Sequence, residues 1–170
     1  MRKLLPLLAL AAAVLSCNDD VTGLGPPSDP TKETFAPSLG VNIATMTRTE
    51  SGVWLLDVTP GTGKPDTATT DSIAINYTGR LKDGSQFDAG LNVTFEVARL
   101  VVGMRTGLYG MKEGGKRRLV IPSALGYAGQ AIRDTSGAVK IPRQSTLIFD
   151  VDLITAFNRV DTTKTSLRTP

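Results

Sequence analysis

Histidine is absent from the 170-residue sequence, and cysteine occurs once, at Cys17. Without histidine the chain lacks the base of a Ser-His-Asp triad, and with a single cysteine it lacks the usual ligand sets of a zinc site. Glycine-rich loops with the spacing of a phosphate-binding or dinucleotide-binding motif are also missing. These absences exclude the common nucleophilic, zinc and nucleotide chemistries. We therefore expect no cofactor and no metal site.

A long apolar run is missing as well, because a membrane-spanning helix needs about 20 apolar residues. The apolar stretch at residues 4–15 is shorter and follows a basic start, which is typical of an export signal. It ends in Val14-Leu15-Ser16-Cys17, which resembles the bacterial lipobox, where the cysteine is acylated. Cys17 is therefore the predicted lipidation site, with a free thiol or an intermolecular disulfide as the alternative. The resemblance implies a lipid anchor in a bacterial membrane, on its periplasmic or outer face.

The predicted mature chain also lacks an excess of positive charge. The full sequence has 19 basic and 16 acidic residues, a net charge of +3, and two of the basic residues lie in the leader. Removing the leader leaves a net charge of +1, which is too small for a surface that binds a phosphate backbone. Nucleic acid is therefore not an expected partner. Residues 18–40 show no pattern suited to a dimerisation helix, so we expect a monomer.

Composition divides the chain into four predicted parts. Residues 1–16 form a lipoprotein signal peptide. Residues 17–40 are rich in Pro, Gly, Asp, Ser and Thr and are predicted to be a lipidated N-terminus with a flexible tether. Residues 41–157 have the length of one ordinary domain, and residues 158–170 form a polar C-terminal tail.

Alternation of apolar and polar residues predicts strands within the domain. They lie at Val53–Val58, Ser72–Tyr77, Gln86–Asp88, Lys116–Ile121 and Ser145–Ile154. The Asp83-Gly84 pair predicts a tight hairpin in which both residues adopt positive φ. Apolar residues at positions 100, 104, 108 and 111 predict a short amphipathic helix. The order favours an α+β fold, an antiparallel sheet curled around a single helix.

Five segments carry a more specific pattern: residues 75–88 (INYTGRLKDGSQFD), 116–122 (KRRLVIP), 125–127 (LGY), 141–142 (IP) and 146–153 (TLIFDVDL). In this order and spacing they resemble the FKBP family of peptidyl-prolyl cis-trans isomerases, over about residues 50–157. The resemblance implies an FKBP-like half-barrel around one short α-helix. It also implies that proline-containing unfolded or exported polypeptides are the partners, and that a macrolide is a ligand to be tested.

The same resemblance implies the site residues. The catalytic residues are Tyr77, Asp88, Tyr127 and Phe149, and the substrate-binding residues are Phe87, Phe95, Leu100, Val101, Met104 and Ile141. From the residues alone, ordinary sheet core explains the alternating aromatic residues at least as well. A turn residue is the alternative for the aspartate, and an exposed loop residue is the alternative for the second tyrosine.

The implied activity has a physical basis that suits a chain without histidine. Resonance opposes rotation of an amide by about 18–20 kcal/mol, and the bond before proline isomerises slowly. The twisted transition state has lost that resonance, so it suffers less than the planar amide from losing water. A dry aromatic pocket therefore favours rotation and needs neither a nucleophile nor a metal.

Three features depart from the family pattern. Met104 occupies the place where the family usually has tryptophan, and a thioether offers no flat surface under a proline ring. The segment from Phe95 to Leu100 is short, whereas the loop from Ala128 to Lys140 is long. A catalytically weak or inactive FKBP-fold chaperone or peptide-binding lipoprotein is therefore the alternative to an enzyme that assists folding of exported proteins. A surface lipoprotein with a vestigial pocket is a third interpretation.

Overall fold

The structure, a computed structural model, describes residues 25–67 and 70–158. The predicted signal peptide, the predicted lipidation site Cys17 and the part of the predicted tail from residue 159 onward lie outside the described residues. Within the two described ranges, no helix is long and apolar enough to cross a membrane.

Eight strands and one α-helix are found in the described ranges. The strands are β1 (Thr47–Arg48), β2 (Trp54–Thr59), β3 (Thr70–Leu81), β4 (Gln86–Glu96), β5 (Lys116–Ile121), β6 (Ile132–Arg133), β7 (Val139–Ile141) and β8 (Leu147–Asn158). The helix α1 spans Val102–Leu108, and short 3₁₀ turns lie at Pro30–Lys32, Pro37–Leu39, Ile43–Thr45, Val97–Arg99 and Ser123–Leu125. The predicted strands and the predicted helix are thus all present. The central strands are longer than expected, and the helix is shorter, because Leu100 and Met111 lie outside it.

The six-stranded antiparallel sheet has the order β1-β2-β5-β8-β3-β4, and β6 pairs with β7 in a separate ribbon. Alternate residues of β8, from Leu147 to Leu153, are at most 7% exposed and share a core cluster with Met104 and Leu108 of α1. Period-two burial on a strand and a buried helix face are what the sequence pattern requires. The predicted α+β fold, a sheet around one short helix, is confirmed.

The hairpin between β3 and β4 differs in detail from the prediction. Gly84 has φ of 91°, whereas Asp83 does not share a positive φ. The Asp83 carboxylate instead accepts a hydrogen bond from the Ser85 N–H at 2.8 Å, and the Leu81 N–H donates to the Ser85 carbonyl at 2.8 Å. A three-residue loop that ends in a left-handed glycine satisfies the hairpin equally well. The prediction of two positive φ angles was therefore wrong.

The N-terminal segment differs from the expected tether over its described part, residues 25–40. Leu39 is 5% exposed and packs with Val120 and Ile148 on the outer face of the sheet. The Ala36 N–H donates to the Lys82 carbonyl at 2.8 Å. Single apolar residues between the prolines give this segment apolar surface to bury. The prediction of a tether used the average composition of the segment, which does not show these residues. The packed unit therefore begins before residue 41.

Candidate active site

A cleft of about 210 Å³ opens between the inner face of the sheet and the start of α1. It is lined by Tyr77, Asp88, Phe95, Arg99, Leu100, Val101, Met104, Tyr127 and Phe149. Strands β3, β4 and β8 supply one wall, and the segment from the 3₁₀ turn Val97–Arg99 into α1 supplies the other. Eight of the ten residues predicted for the site therefore meet in one cavity.

The other two predicted residues lie behind the cleft. Phe87 is 6% exposed, and its ring meets that of Phe149 edge to face, with centroids 5.5 Å apart. Ile141 is 3% exposed in the same core cluster. Neither side chain is part of the cleft lining. Both support the wall from behind, while the substrate-binding role expected of them stays a prediction.

The alternative interpretation, in which the aromatic residues are ordinary sheet core, explains only part of their placement. The Tyr77 ring contacts Phe95 edge to face at 5.5 Å and lies 6.4 Å from Phe149. Edge-to-face pairs of this kind hold rings in a fixed relative orientation. Three rings therefore form part of the core and line the opening at once.

Asp88 belongs to a strand rather than to a turn, because it pairs with Gly79 of β3. The Tyr77 hydroxyl donates a hydrogen bond to Asp88 Oδ2 at 3.0 Å, and Asp88 Oδ1 accepts from the Ala89 N–H at 3.0 Å. The carboxylate thus orients the tyrosine at the rim. Tyr127 is half-buried in the cleft lining, so it is not the exposed loop residue of the alternative.

Both tyrosines keep their protons at neutral pH. Burial, the hydrogen bond to Asp88 and the charge of Asp88 raise the pKa of Tyr77 to about 12. Burial and the same carboxylate also raise the pKa of Tyr127. Each hydroxyl is therefore a hydrogen-bond donor. Within the described part of the chain the Tyr127 hydroxyl has no hydrogen-bond partner, which leaves it available to a peptide carbonyl.

We expect the raised pKa of Tyr77 to appear as a loss of stability at alkaline pH. The folded chain holds this proton up to a pKa of about 12, whereas an unfolded tyrosine releases it near 10. The stabilisation is complete below pH 10 and is lost between pH 10 and 12. Urea unfolding at pH 9 and pH 11 should show that the free energy of unfolding falls less between these two pH values in Tyr77→Phe than in wild type. Tyr109→Phe, at an exposed tyrosine, should behave like wild type.

Gly79 is a residue of the site that sequence reasoning missed. A Cβ at this position would lie 2.6 Å from the Phe87 ring and 2.9 Å from the Phe149 ring. The two rings therefore occupy the space that a side chain at position 79 would fill. A glycine inside a predicted strand is the signal that marks such a close approach.

Substitution of Gly79 by alanine should displace both rings. Overpacking of this kind costs about 1–3 kcal/mol, and the shifted Phe149 should also lower isomerase activity. Urea unfolding and a proline-peptide assay measure the two effects. Thr78→Ala, on the opposite face of the same strand, is the control, and an equal effect of both substitutions would contradict the explanation.

Arg117 fixes the far end of α1, the helix that carries Met104. Its side chain is 8% exposed, and it makes two hydrogen bonds to the Asp57 carboxylate, at 2.7 and 3.0 Å. It also donates to the carbonyls of Gly107 at 2.8 Å and Tyr109 at 3.2 Å. A cation that binds the last carbonyls stabilises a helix end. Arg117 is therefore a positioning residue for the floor of the cleft.

The departures from the family pattern leave the cleft intact. Met104 is 3% exposed and forms its floor. Although the segment before α1 is short, the 3₁₀ turn Val97–Arg99 still brings Phe95 and Leu100 to the cavity. Arg99 joins them as a lining residue that was not predicted, and its Nε donates to Glu96 at 2.7 Å on the exposed surface.

Comparisons with known proteins agree with this geometry. The pattern of the FKBP-type peptidyl-prolyl cis-trans isomerases matches residues 63–154. An FK506-binding protein of Neisseria meningitidis serogroup B is 38% identical over 112 residues, which are 62% of this chain and 97% of that protein. The human peptidyl-prolyl cis-trans isomerase FKBP2 is 39% identical over 97 residues, or 54% of this chain and 65% of that protein.

A solved structure is also similar. The peptidyl-prolyl cis-trans isomerase of Pseudomonas syringae pv. tomato aligns with a TM-score of 0.59 at 30% identity, over 65% of this chain and 80% of that one. The family match contains every residue that lines the cleft and spans more than half of the 170-residue sequence. The chain therefore belongs to the FKBP-type peptidyl-prolyl cis-trans isomerases, enzymes that rotate the peptide bond before proline.

Proposed function

We propose that the cleft between Tyr77 and Phe149 is the catalytic site and that the enzyme assists the folding of exported proteins at the cell envelope. The observation that carries the first part is the meeting of eight predicted residues in one aromatic cavity. The second part is supported by the sequence that ends at Cys17, which resembles a lipobox behind an export signal.

In this proposal the substrate proline ring lies on Met104 and Phe149, with the rings of Tyr77 and Phe95 beside it. These side chains replace the water around the amide before proline. A planar amide is more polar than a twisted one and loses more when its water is removed, so the barrier to rotation falls. Every 1.36 kcal/mol of such preference raises the rate about tenfold.

Two hydroxyls act on the peptide as the bond rotates. Tyr127 donates to a carbonyl of the peptide and holds it in the cleft. Asp88 keeps the Tyr77 hydroxyl pointed along the rim. Both phenols retain their protons during the reaction, because no bond to hydrogen has to break when an amide rotates. Catalysis then consists of desolvation and orientation.

The site proposal predicts that Asp88→Ala lowers kcat/KM for a proline tetrapeptide by about tenfold, the rate change that one lost orienting interaction of 1.36 kcal/mol produces. The assay uses the full chain in mild detergent. Asp83→Ala, at an exposed carboxylate in the β3–β4 hairpin, is the matched control and should keep wild-type activity. Equal activity of both variants would remove Asp88 from the site.

The proposed location is tested by fractionating cells that express the full chain. Wild type should be found with the membranes and should incorporate labelled fatty acid, whereas Cys17→Ala should be released from the membranes without label. Sedimentation of the extracted protein tests the expected monomer. Equal membrane association of both forms would contradict the anchor, but it would leave the catalytic proposal untouched.

A weakly active or inactive chaperone is the second candidate, and Met104 favours it. A methionine floor adapts to many ligands but does not provide the flat surface of tryptophan. Refolding of a proline-free client separates the candidates, because protection of that client without peptide isomerisation indicates binding alone. A Met104→Trp variant with a much higher rate would show that the floor limits turnover. Binding of a macrolide such as FK506, which competes with the peptide, would locate both ligands in the cleft.

A further inference from the structure

A second and larger cavity, of about 540 Å³, lies beside the catalytic cleft. Its volume falls within the range of about 300–1,000 Å³ that is usual for ligand pockets. The wall includes the loop at 49–51, residues 66, 67 and 70 at the start of β3, and residues 105 and 106 of α1. The catalytic proposal does not use it.

Two elements separate this cavity from the cleft, and each faces both. In the 3₁₀ turn Val97–Arg99, Val97 lines the large cavity and Arg99 lines the cleft. In α1, Arg105 lines the large cavity and Met104 lines the cleft. The two cavities are therefore neighbours, with the 3₁₀ turn and α1 between them.

The lining suits an uncharged amphipathic chain better than an ion. Leu55 and Val97 provide apolar surface, and Tyr109, 61% exposed, provides an aromatic face. Hydroxyl groups, among them that of Thr106, provide hydrogen-bonding partners. Both signs of charge are represented in the lining, so neither a phosphate nor a metal ion is favoured.

Asp66 adds a polar contact in the wall. It is 3% exposed, and its Oδ1 has no hydrogen-bond partner among the residues that the structure describes. A buried acceptor without a partner is unfavourable, so a ligand that donates an N–H hydrogen bond to it is bound more strongly. The backbone N–H groups of a polypeptide are donors of the required type.

We infer that the large cavity binds the stretch of the client polypeptide that leaves the catalytic cleft. This inference rests on the proposed catalytic site, because the position of the cavity next to that site identifies the occupant. The client then has two contacts, a proline in the cleft and an apolar or aromatic side chain on Tyr109 a few residues away. Long unfolded chains gain affinity from the second contact, while short peptides end before they reach it.

The test compares a proline tetrapeptide with a sixteen-residue peptide of the same central sequence that carries apolar residues at alternate positions. Cis-trans exchange is measured by NMR with the full chain in mild detergent. Wild type should have a higher kcat/KM for the long peptide. Tyr109→Ala should lower that value about fivefold, which corresponds to about 1 kcal/mol of binding, and should leave the tetrapeptide value within about twofold of wild type.

Two further variants make the result decisive. Ser51→Trp, at an exposed loop position, places a large ring in the cavity and should also abolish the preference for the long peptide. Phe157→Ala removes a 46% exposed aromatic residue that does not line the cavity and should change neither value. The inference would be overturned if wild type had the same kcat/KM for both peptides. It would also be overturned if Tyr109→Ala lowered kcat/KM for both peptides by the same factor. An inactive wild type would instead overturn the catalytic proposal, and the inference with it.

Discussion

Replacement of Phe149 by alanine is expected to lower kcat/KM for a proline peptide about 100-fold, a loss of about 2.7 kcal/mol of transition-state stabilisation. The ring forms a wall of the cleft, meets Phe87 edge to face, and lies tilted against Tyr77 with centroids 6.4 Å apart. Its removal admits water to the place where the amide twists. Because Phe149 is only 7% exposed, the substitution also leaves a cavity, and the free energy of unfolding should fall by about 3–4 kcal/mol.

The two effects are separable with Phe149→Leu. Leucine fills most of the volume, so the loss of stability should be near 1 kcal/mol, while the aromatic wall is still lost. A peptide assay at a temperature where all three proteins are folded, together with urea unfolding, measures both quantities. Wild-type activity in folded Phe149→Ala would show that catalysis takes place elsewhere.

The second large effect is expected far from the cleft, at Asp57. This carboxylate is the ion-pair partner of the Arg117 side chain, which is 8% exposed. Asp57→Ala leaves a buried cation without a counter-charge, which costs about 3–5 kcal/mol in a fully buried pair. Since Asp57 is itself 44% exposed, we expect a smaller loss than in a fully buried pair, about 2–3 kcal/mol.

Activity should fall together with stability in Asp57→Ala, because a displaced Arg117 loosens the end of α1 and with it Met104. The control is Asp152→Ala, which breaks an ion pair with Lys116 whose two side chains are 38% and 55% exposed. A pair of this kind contributes less than about 1 kcal/mol. Urea unfolding of the two variants checks the difference, and equal small losses would contradict a structural role for the buried pair.

The strands and the helix were predictable from the sequence, because burial of one side of a strand or helix places apolar residues at regular intervals along the chain. The strand Lys116–Ile121 has the bounds that alternation predicts, and the apolar positions at Met104 and Leu108 mark the buried face of α1. The turn between β3 and β4 was less predictable, since an Asp-Gly pair is compatible with more than one loop conformation. The local sequence does not decide between them.

Contacts between distant segments explain what sequence reasoning missed at the site. Nothing near Arg117 in the sequence shows that Asp57, 60 residues earlier, is its partner. Alternation placed Phe87 on an inner face, but the difference between lining a cleft and standing behind it depends on the packing of Phe149. The packed N-terminal segment was hidden for a related reason, because Leu39 finds its partners on strands far along the chain.

The most direct test of the account is NMR exchange spectroscopy of a short proline peptide with a substoichiometric amount of the full chain. Exchange between the cis and trans peptide should be accelerated, with peptide-dependent shifts in the signals of Tyr77, Tyr127 and Phe149. Exchange at the uncatalysed rate, or acceleration without any change in those three signals, would contradict a catalytic role for this cleft.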